Sequence, residues 1–449
     1  MRILLLPCET RAREFDAKLL LACHCADSGI PAIVGAKKTM DINLDRYPAG
    51  VYVGKSATRR SMHNLLLARA RGHRVVLWDE EGLVWASREV YWKTKVDAAT
   101  LGAAELLIAW GEENAATWQA HPDFPHTPIV AAGNPRIDLL RPELAGYFAE
   151  EQRAIEAELG PFILINTNFS RVNHVQAAQN RQLEWLRKHQ PHDTRGGFAA
   201  HKYSIFHDFR AMIPTLARAL PNQRFVIRPH PSERLATWDA LAKDLGNVDV
   251  RPGGNVIPWL RASLGIIHNG CTTAIEAFVA QRPALAYMPS HSEQYDHPLP
   301  NGVSLQITDL PSLLQAVEVM SHSPQTLLAR QRASGCEALL AQNLTGLQDA
   351  TACQRILVAL QPLLNDPAAR TELRTGLSVS LLGLRRLWRR IERGIPGHGN
   401  SAAYLHHMFP PLSLNEVRQQ VARFQECLPQ LGKLQVTPLQ SDVFRVERP

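Results

Sequence analysis

Leu264–Met288 reads LGIIHNGCTTAIEAFVAQRPALAYM, and this stretch decides the fold. LGIIH is a short apolar run that fits a strand, and Asn269-Gly270 is a strong turn signal. Thr272 or Thr273 can cap a helix over AIEAFVAQ, and Pro283 stops its continuation. ALAYM then returns beside the first strand through a right-handed crossover. The helix of such a unit starts at the carboxyl edge of a parallel sheet, where backbone N–H groups and the helix dipole attract an anion. Glu276 lies near that start. The unit can therefore hold a phosphate and offer a carboxylate to ribose hydroxyls; an ordinary β-α-β with a solvated glutamate is the alternative.

The same alternation extends to both sides. RILLL, PAIVG, GVYVG, RVVLW, ELLIAW and PIVAAG are short apolar runs in the first third, separated by segments such as REFDAKLLLACHCADSG with helical spacing. A second set, FILIN, RFVIR, VDVR, LGIIH, ALAYM and VSLQI, follows after an exposed helix from LRPELAG onward. Fully apolar short strands between helices predict parallel sheets covered on both faces. The fold class is thus α/β, with Rossmann-like domains over residues 1–155 and 156–365 and an extension over 366–449. In that extension Arg385, Arg386, Arg389, Arg390 and Arg393 stand beside Leu384, Leu387, Trp388 and Ile391. This reads as a basic amphipathic helix suited to an anionic membrane surface, or else as a helix packed on its own chain.

Composition narrows the class. The chain has 449 residues, 45% hydrophobic and 20% charged, with a formal charge of +7, which is too long for one core and permits an anionic partner. No apolar run reaches the ~18 residues of a membrane span. MRILLLP reads as a first strand and not as a signal peptide. Seven cysteines without ligand-like pairing suit reduced cytoplasmic thiols. Neither a metal nor a cofactor is expected, and no nucleic-acid partner.

Several loops follow strands at the edge where such sheets bind ligands. Cys8-Glu9-Thr10-Arg11 follows the first strand and Asp79-Glu80-Glu81-Gly82 the fourth. A carboxylate placed there can take the proton of an attacking hydroxyl, although three acids in a row also suit a solvated turn. Gly133-Asn134-Pro135-Arg136-Ile137-Asp138 forms a sharp turn bringing Arg136 and Asp138 close. In the second set, Asn166-Thr167-Asn168 follows FILIN, and Arg228-Pro229-His230-Pro231-Ser232-Glu233 follows RFVIR. Arg228 and His230 suit a phosphate or diphosphate; a packed loop is the other reading. Trp259 fits the core better than a base-stacking platform. His291, Asp296 and His297 in SHSEQYDHPLP do not amount to a metal site.

Taken together, RAREFDAKLLLA, DEEG, GNPRIDLLRPEL, FILINTNFSRVN, RPHPSE and HNGCTTAIEA resemble the bacterial surface carbohydrate biosynthesis family over most of the chain. That family is similar in its second half to CDP-glycerol glycerophosphotransferases and to GT-B glycosyltransferases using CMP-activated ulosonic acids such as Kdo and sialic acid. The resemblance implies a GT-B fold, two Rossmann-like domains facing a cleft, with the acceptor bound by the first half and the donor by the second. With the residues it favours a metal-independent, cytoplasmic glycosyltransferase of surface polysaccharide, which the basic helix, if it lies on anionic lipid, would make peripheral at the inner membrane. Its partners are a nucleotide-sugar donor and a glycan or lipid-linked glycan acceptor. His230-Pro231 matches the pair that contacts the donor phosphate, and Glu276 the glutamate that holds the ribose. Arg228, Asn166, Asn168, His268, Asn269, Gly270, Thr272 and Thr273 complete the expected donor site. Related β-Kdo transferases carry a nucleophilic carboxylate after the donor domain's first strand, where this chain has Asn166, Thr167 and Asn168. That departure speaks against a covalent intermediate. An inverting reaction takes its base from the first half: Glu80, Glu81 or Glu9, in that order. The rival readings are a CDP-glycerol-type polyol-phosphate transferase, a UDP-sugar 2-epimerase and a non-enzymatic export scaffold.

Overall fold

The computed structural model describes residues 2–189, 194–365, 387–388, 391–395 and 400–449. The chain divides into two compact units. One comprises Met1–Leu83, Arg88–Tyr147 and Ala341–Pro449, the other Val84–Ser87 and Phe148–Leu340.

In the first unit the apolar runs form β1 (Ile3–Cys8), β2 (Ala32–Ala36), β3 (Gly50–Gly54), β4 (Arg74–Trp78), β5 (Leu106–Ala109) and β6 (Ile129–Ala131). They pair in parallel, and β1 lies between β2 and β3. Their side chains are buried almost throughout β1 to β5, as a sheet covered on both faces requires. Helix α1 (Asp16–Asp27) covers β1 and β2 with a nearly all-apolar surface. The end of the chain completes this sheet. Strands β13 (Gln435–Gln440) and β14 (Val443–Glu447) form a hairpin, and β14 pairs antiparallel with β2. The hairpin thereby covers an edge that would otherwise expose unpaired N–H and C=O groups. The helix Leu414–Cys427 ahead of it opens with a capping box, Ser413 with Glu416, and turns Val417, Val421 and Phe424 inward. Phe424 stacks on Tyr147 at 4.0 Å. Asp138, expected in a turn with Arg136, accepts from the N–H groups of Ala352 and Cys353 at 2.8 and 2.9 Å and caps the helix Ala352–Asn365.

The second unit contains β7 (Phe162–Asn166), β8 (Arg224–Arg228), β9 (Val248–Val250), β10 (Ile266–His268), β11 (Ala284–Tyr287) and β12 (Leu305–Ile307). All pair in parallel in the order β12-β11-β10-β7-β8-β9, a doubly wound Rossmann order. The winding reverses between β7 and β10. A long helix, α2 (Thr194–Ala219), lies on one face, where Phe206 and Phe209 pack with Phe169, Phe225 and Trp238. The opening β-α-β holds as read, with helix α3 spanning Thr272–Val279.

Of the basic helix read near residue 390, Arg385, Arg386, Arg389, Arg390 and Leu384 lie outside the described residues; Leu387, Trp388 and Ile391 are exposed. No helix among the described residues is long and apolar enough to cross a membrane.

Candidate functional site

Open α/β sheets bind ligands beyond the carboxyl ends of their strands where the winding reverses. In the second unit that point falls between Asn166, which ends β7, and His268, which ends β10; the two are register partners. Asn166 donates its side-chain amide to the Thr273 hydroxyl at 2.9 Å and to Cys271 Sγ at 3.6 Å, tying β7 to the start of α3. The cap differs from expectation. Cys271 is the extended residue before the helix, makes no side-chain capping bond, and leaves Thr272 and Thr273 as its first two members. No side chain caps the helix start; the Ala274 N–H bonds the Cys271 carbonyl at 3.1 Å, and the helix dipole there still favours an anion. Gly270 adopts a positive φ of 64°, and a Cβ there would come within 3.1 Å of His297 Nδ1. Glycine is therefore required where the chain turns into the helix.

The two histidines beside this turn shape it. His268 Nδ1 accepts the Gly270 N–H at 3.1 Å, so its Nε2 proton goes to the Ser304 hydroxyl at 2.8 Å. His297 Nδ1 donates to the Gly270 carbonyl at 2.6 Å. Burial pushes both imidazoles down to a pKa of about 3. Neutral and engaged on both nitrogens, His268 holds the loop between β10 and α3. Asn269 is 4% exposed, and neither of its side-chain polar atoms has a hydrogen-bond partner among the described residues. Glu276 is buried at the fifth position of α3.

The RPHPSE loop departs further from expectation. Arg228 is buried and donates to the carbonyls of Arg251, Gly253 and Gly254 at 3.1, 2.5 and 3.2 Å, with its guanidinium 4.6 Å from the Trp259 ring. It fastens the glycine turn, and Trp259 is its platform. His230 Nδ1 accepts the Ser232 N–H at 3.1 Å, which places the ring proton on Nε2. Pro231 and Asn168 lie half-buried in neighbouring loops. The loops after β7 and β8 are joined by Glu233, whose carboxylate accepts from the Thr167 hydroxyl (2.9 Å), the Phe169 and His230 N–H groups (3.0 and 3.1 Å) and the Trp238 indole (3.0 Å).

The first unit has its own reversal, between β1 and β3. Glu9 follows β1, Lys55 follows β3, and they form an ion pair. Behind them Glu14 accepts from Lys18 at 2.9 Å and from Lys55 at 3.1 Å, while Lys18 lies 2.9 Å from Glu80. Glu80, buried, also accepts the Trp78 indole proton at 2.9 Å. Lys55 holds the Glu9 carboxyl below its usual range. Burial raises Glu81, but its partner Lys95 outweighs burial and brings it to about 2. A carboxylate that acidic is a poor proton acceptor. Asp79, not singled out in the sequence reading, is pushed up to about 6 by burial and by neighbouring Glu81, and accepts from the Tyr91 hydroxyl at 2.8 Å. Its other oxygen accepts the Glu81 N–H at 3.1 Å, so both are engaged within the protein.

No family model matches the chain, and no curated protein matches it. Solved structures do. The UDP-GlcNAc 2-epimerase of Methanocaldococcus jannaschii, in complex with UDP-GlcNAc and UDP, is 13% identical with a TM-score of 0.52, over 81% of this chain and 100% of that one. The wall teichoic acid polymerase TagF with CDPG is 10% identical with a TM-score of 0.52, over 81% of this chain and 88% of that one. The S. aureus MnaA–UDP structure is 13% identical with a TM-score of 0.50, over 81% and 97%. Together with the parallel strands β1–β6 and β7–β12, these likenesses establish a mixed α/β chain of the GT-B fold.

Proposed function

We propose that this chain is a nucleotide-dependent glycosyltransferase of surface-polysaccharide biosynthesis, with a CMP-activated ulosonic acid as donor. The observation that carries the reading is the second unit's reversal point, where Asn166 is tied to Thr273 at the start of α3, beside the unpartnered Asn269 side chain, on the helix that carries Glu276. A departing nucleotide phosphate gains negative charge in the transition state, so a preorganised helix terminus stabilises it more than the bound donor. His230, with its proton on Nε2, is the proposed hydrogen-bond donor to the same phosphate. We assign the acceptor to the first unit, whose sheet edge carries Glu9, Glu80, Glu81 and Asp79. The rival readings draw on the structural likenesses: a UDP-sugar 2-epimerase turns over free UDP-GlcNAc without an acceptor, and a polyol-phosphate transferase consumes CDP-glycerol.

A thermal-shift series with CMP, CDP, UDP and GDP tests the donor. CMP or CDP is expected to raise the melting temperature most, since a ligand at one hundred times its dissociation constant stabilises by ~2.7 kcal/mol. A clear preference for UDP, with turnover of UDP-GlcNAc alone, transfers the assignment to the epimerase. Glu276→Ala is expected to weaken CMP and CDP ~10–100-fold, the value of charge-assisted hydrogen bonds to two ribose hydroxyls. Titration calorimetry beside a melting curve reads it. Parent-like binding would remove Glu276 from the ribose site.

A further inference from the structure

Lys202, on α2, is 4% exposed, and its ammonium makes neither a hydrogen bond nor an ion pair with any described residue. The Phe198 ring lies 5.9 Å away. An ammonium so largely enclosed, with only an aromatic ring beside it, is costly to the fold, and an anionic ligand would offset that cost. The surroundings say which. The short loop after β11 is fastened at one end to α2, where Asp296 accepts from His201 at 2.7 Å and Ser290 donates to Asp208 at 2.8 Å. Its other end is fastened to the turn before α3 by the His297 bond to the Gly270 carbonyl. Lys202 thus stands in electrostatic reach of Cys271, the residue that opens α3, as well as of Asp296 and Arg171. Asn269, in that same turn, is 4% exposed, and neither of its side-chain polar atoms has a partner among the described residues; Asn301 Oδ1, 3.5 Å from the Cβ position of Gly270, has none either.

We propose that Lys202, Asn269 and the N-terminus of α3 form a phosphate-ester site, in which Lys202 supplies the cation that the sequence reading assigned to Arg228. The site deepens the nucleotide-binding reading above and rests on it. An ammonium among neutral imidazoles, an uncapped helix start and an amide with free donors make a pocket for a dianion, and Arg228 is fully engaged with carbonyls elsewhere. Burial pushes the Lys202 amine down to about 8, so it is protonated at neutral pH, and a bound phosphate dianion would favour that form further.

The test is calorimetric titration of the full chain with CDP, UDP, cytidine and inorganic pyrophosphate, comparing parent, Lys202→Met and Lys202→Gln beside melting curves. Both variants are expected to bind CDP and pyrophosphate ~10–100-fold more weakly, as for loss of a hydrogen bond between charged groups. Cytidine binding should not change, and the melting temperature should hold or rise because an unpaired buried charge has been removed. Parent-like affinity of both variants for CDP and pyrophosphate overturns the Lys202 site and leaves the nucleotide reading standing. Lys202-dependent pyrophosphate binding without any nucleotide binding keeps the site and overturns that reading. A parent that binds none of the probes overturns both. A fall in melting temperature in both variants without a selective loss of phosphate binding makes Lys202 a structural residue and sinks the proposal.

Discussion

Lys18→Met should destabilise the first unit by ~3–5 kcal/mol, the cost of removing one partner from a buried ion pair. The Lys18 side chain is 2% exposed and lies 2.9 Å from carboxylate oxygens of both Glu14 and Glu80, which are buried as well. Its third bond goes to the Pro7 carbonyl at 2.8 Å, and its ammonium lies 5.4 Å from the Trp78 ring. Methionine fills the volume but leaves two carboxylates in low dielectric, with Lys55 able to answer only part of the charge. Burial alone would raise Glu14; Lys18 and Lys55 outweigh it and hold the carboxyl far below its ordinary 4.5. Its stabilisation is therefore present above that value and is lost as pH falls toward the folded pKa. Glu14 and Glu80 raise Lys18 above its ordinary 10.5 against the opposing effect of burial, so its share is full below 10.5 and is lost as pH rises beyond. The parent's first unit should hold this contribution between about 4.5 and 10.5, whereas the variant should gain stability on acidification as the orphaned acids protonate. Two units need not unfold together, so hydrogen exchange over Ile3–Cys8 and Gly50–Gly54 is the suitable readout. The triple variant Glu14→Gln, Lys18→Met, Glu80→Gln should recover much of the loss. Parent-like protection in Lys18→Met would mean that water reaches the cluster and that its charges are screened.

The strands were legible because each is a short, mostly apolar run between helical spacings, and all twelve runs form strands. The β10–α3–β11 unit was legible for a further reason: its turn signal, helix and proline stop are contiguous in sequence. What escaped depends on contacts distant in the chain. QVTPLQ has too mixed a pattern to announce an edge strand, and only β2 gives it and VFRVE a sheet to join. Arg228 reads as a phosphate ligand because nothing in RPHP discloses that the Gly253-Gly254 turn folds back to accept its protons. Lys202 stands in AAHKYSIFHDF, an ordinary amphipathic pattern. Its burial appears only once the Ser290–His297 loop is tied down onto α2. Among the acids of DEEG, spacing could not rank the bases, because Lys95, Lys18 and Tyr91 each reach a different one.

Glu233→Ala is the other change with a large expected effect, ~3–5 kcal/mol in the second unit. Four donors converge on this carboxylate from the loops after β7 and β8 and from Trp238. Each buried donor left unsatisfied costs ~1–3 kcal/mol, reduced where water can enter the space the side chain vacates. Glu233→Gln keeps the volume and a carbonyl oxygen, and it imitates the protonated acid. Burial pushes the Glu233 carboxyl up against the opposing hydrogen bonds, so its contribution is full below the ordinary 4.5 and is lost as pH rises through the folded value. That sign is opposite to Glu14. Acidification from pH 7 to 5 should accordingly strengthen the second unit of the parent, while the Glu14 contribution to the first holds until pH falls below about 4.5, and Glu233→Gln should abolish the strengthening. Hydrogen exchange over Phe162–Asn166 and Arg224–Arg228, followed from pH 7 to 5, reads this strengthening in the second unit. The glutamine variant also has a bearing on function. Asn166 and His230 flank the segments that Glu233 joins, so a folded Glu233→Gln protein should bind nucleotide more weakly with an unchanged melting curve. If Glu233→Ala retains parent protection over both strands, the four bonds are replaceable by water, and the two loops are held in place by the Phe169, Phe206 and Trp238 packing alone.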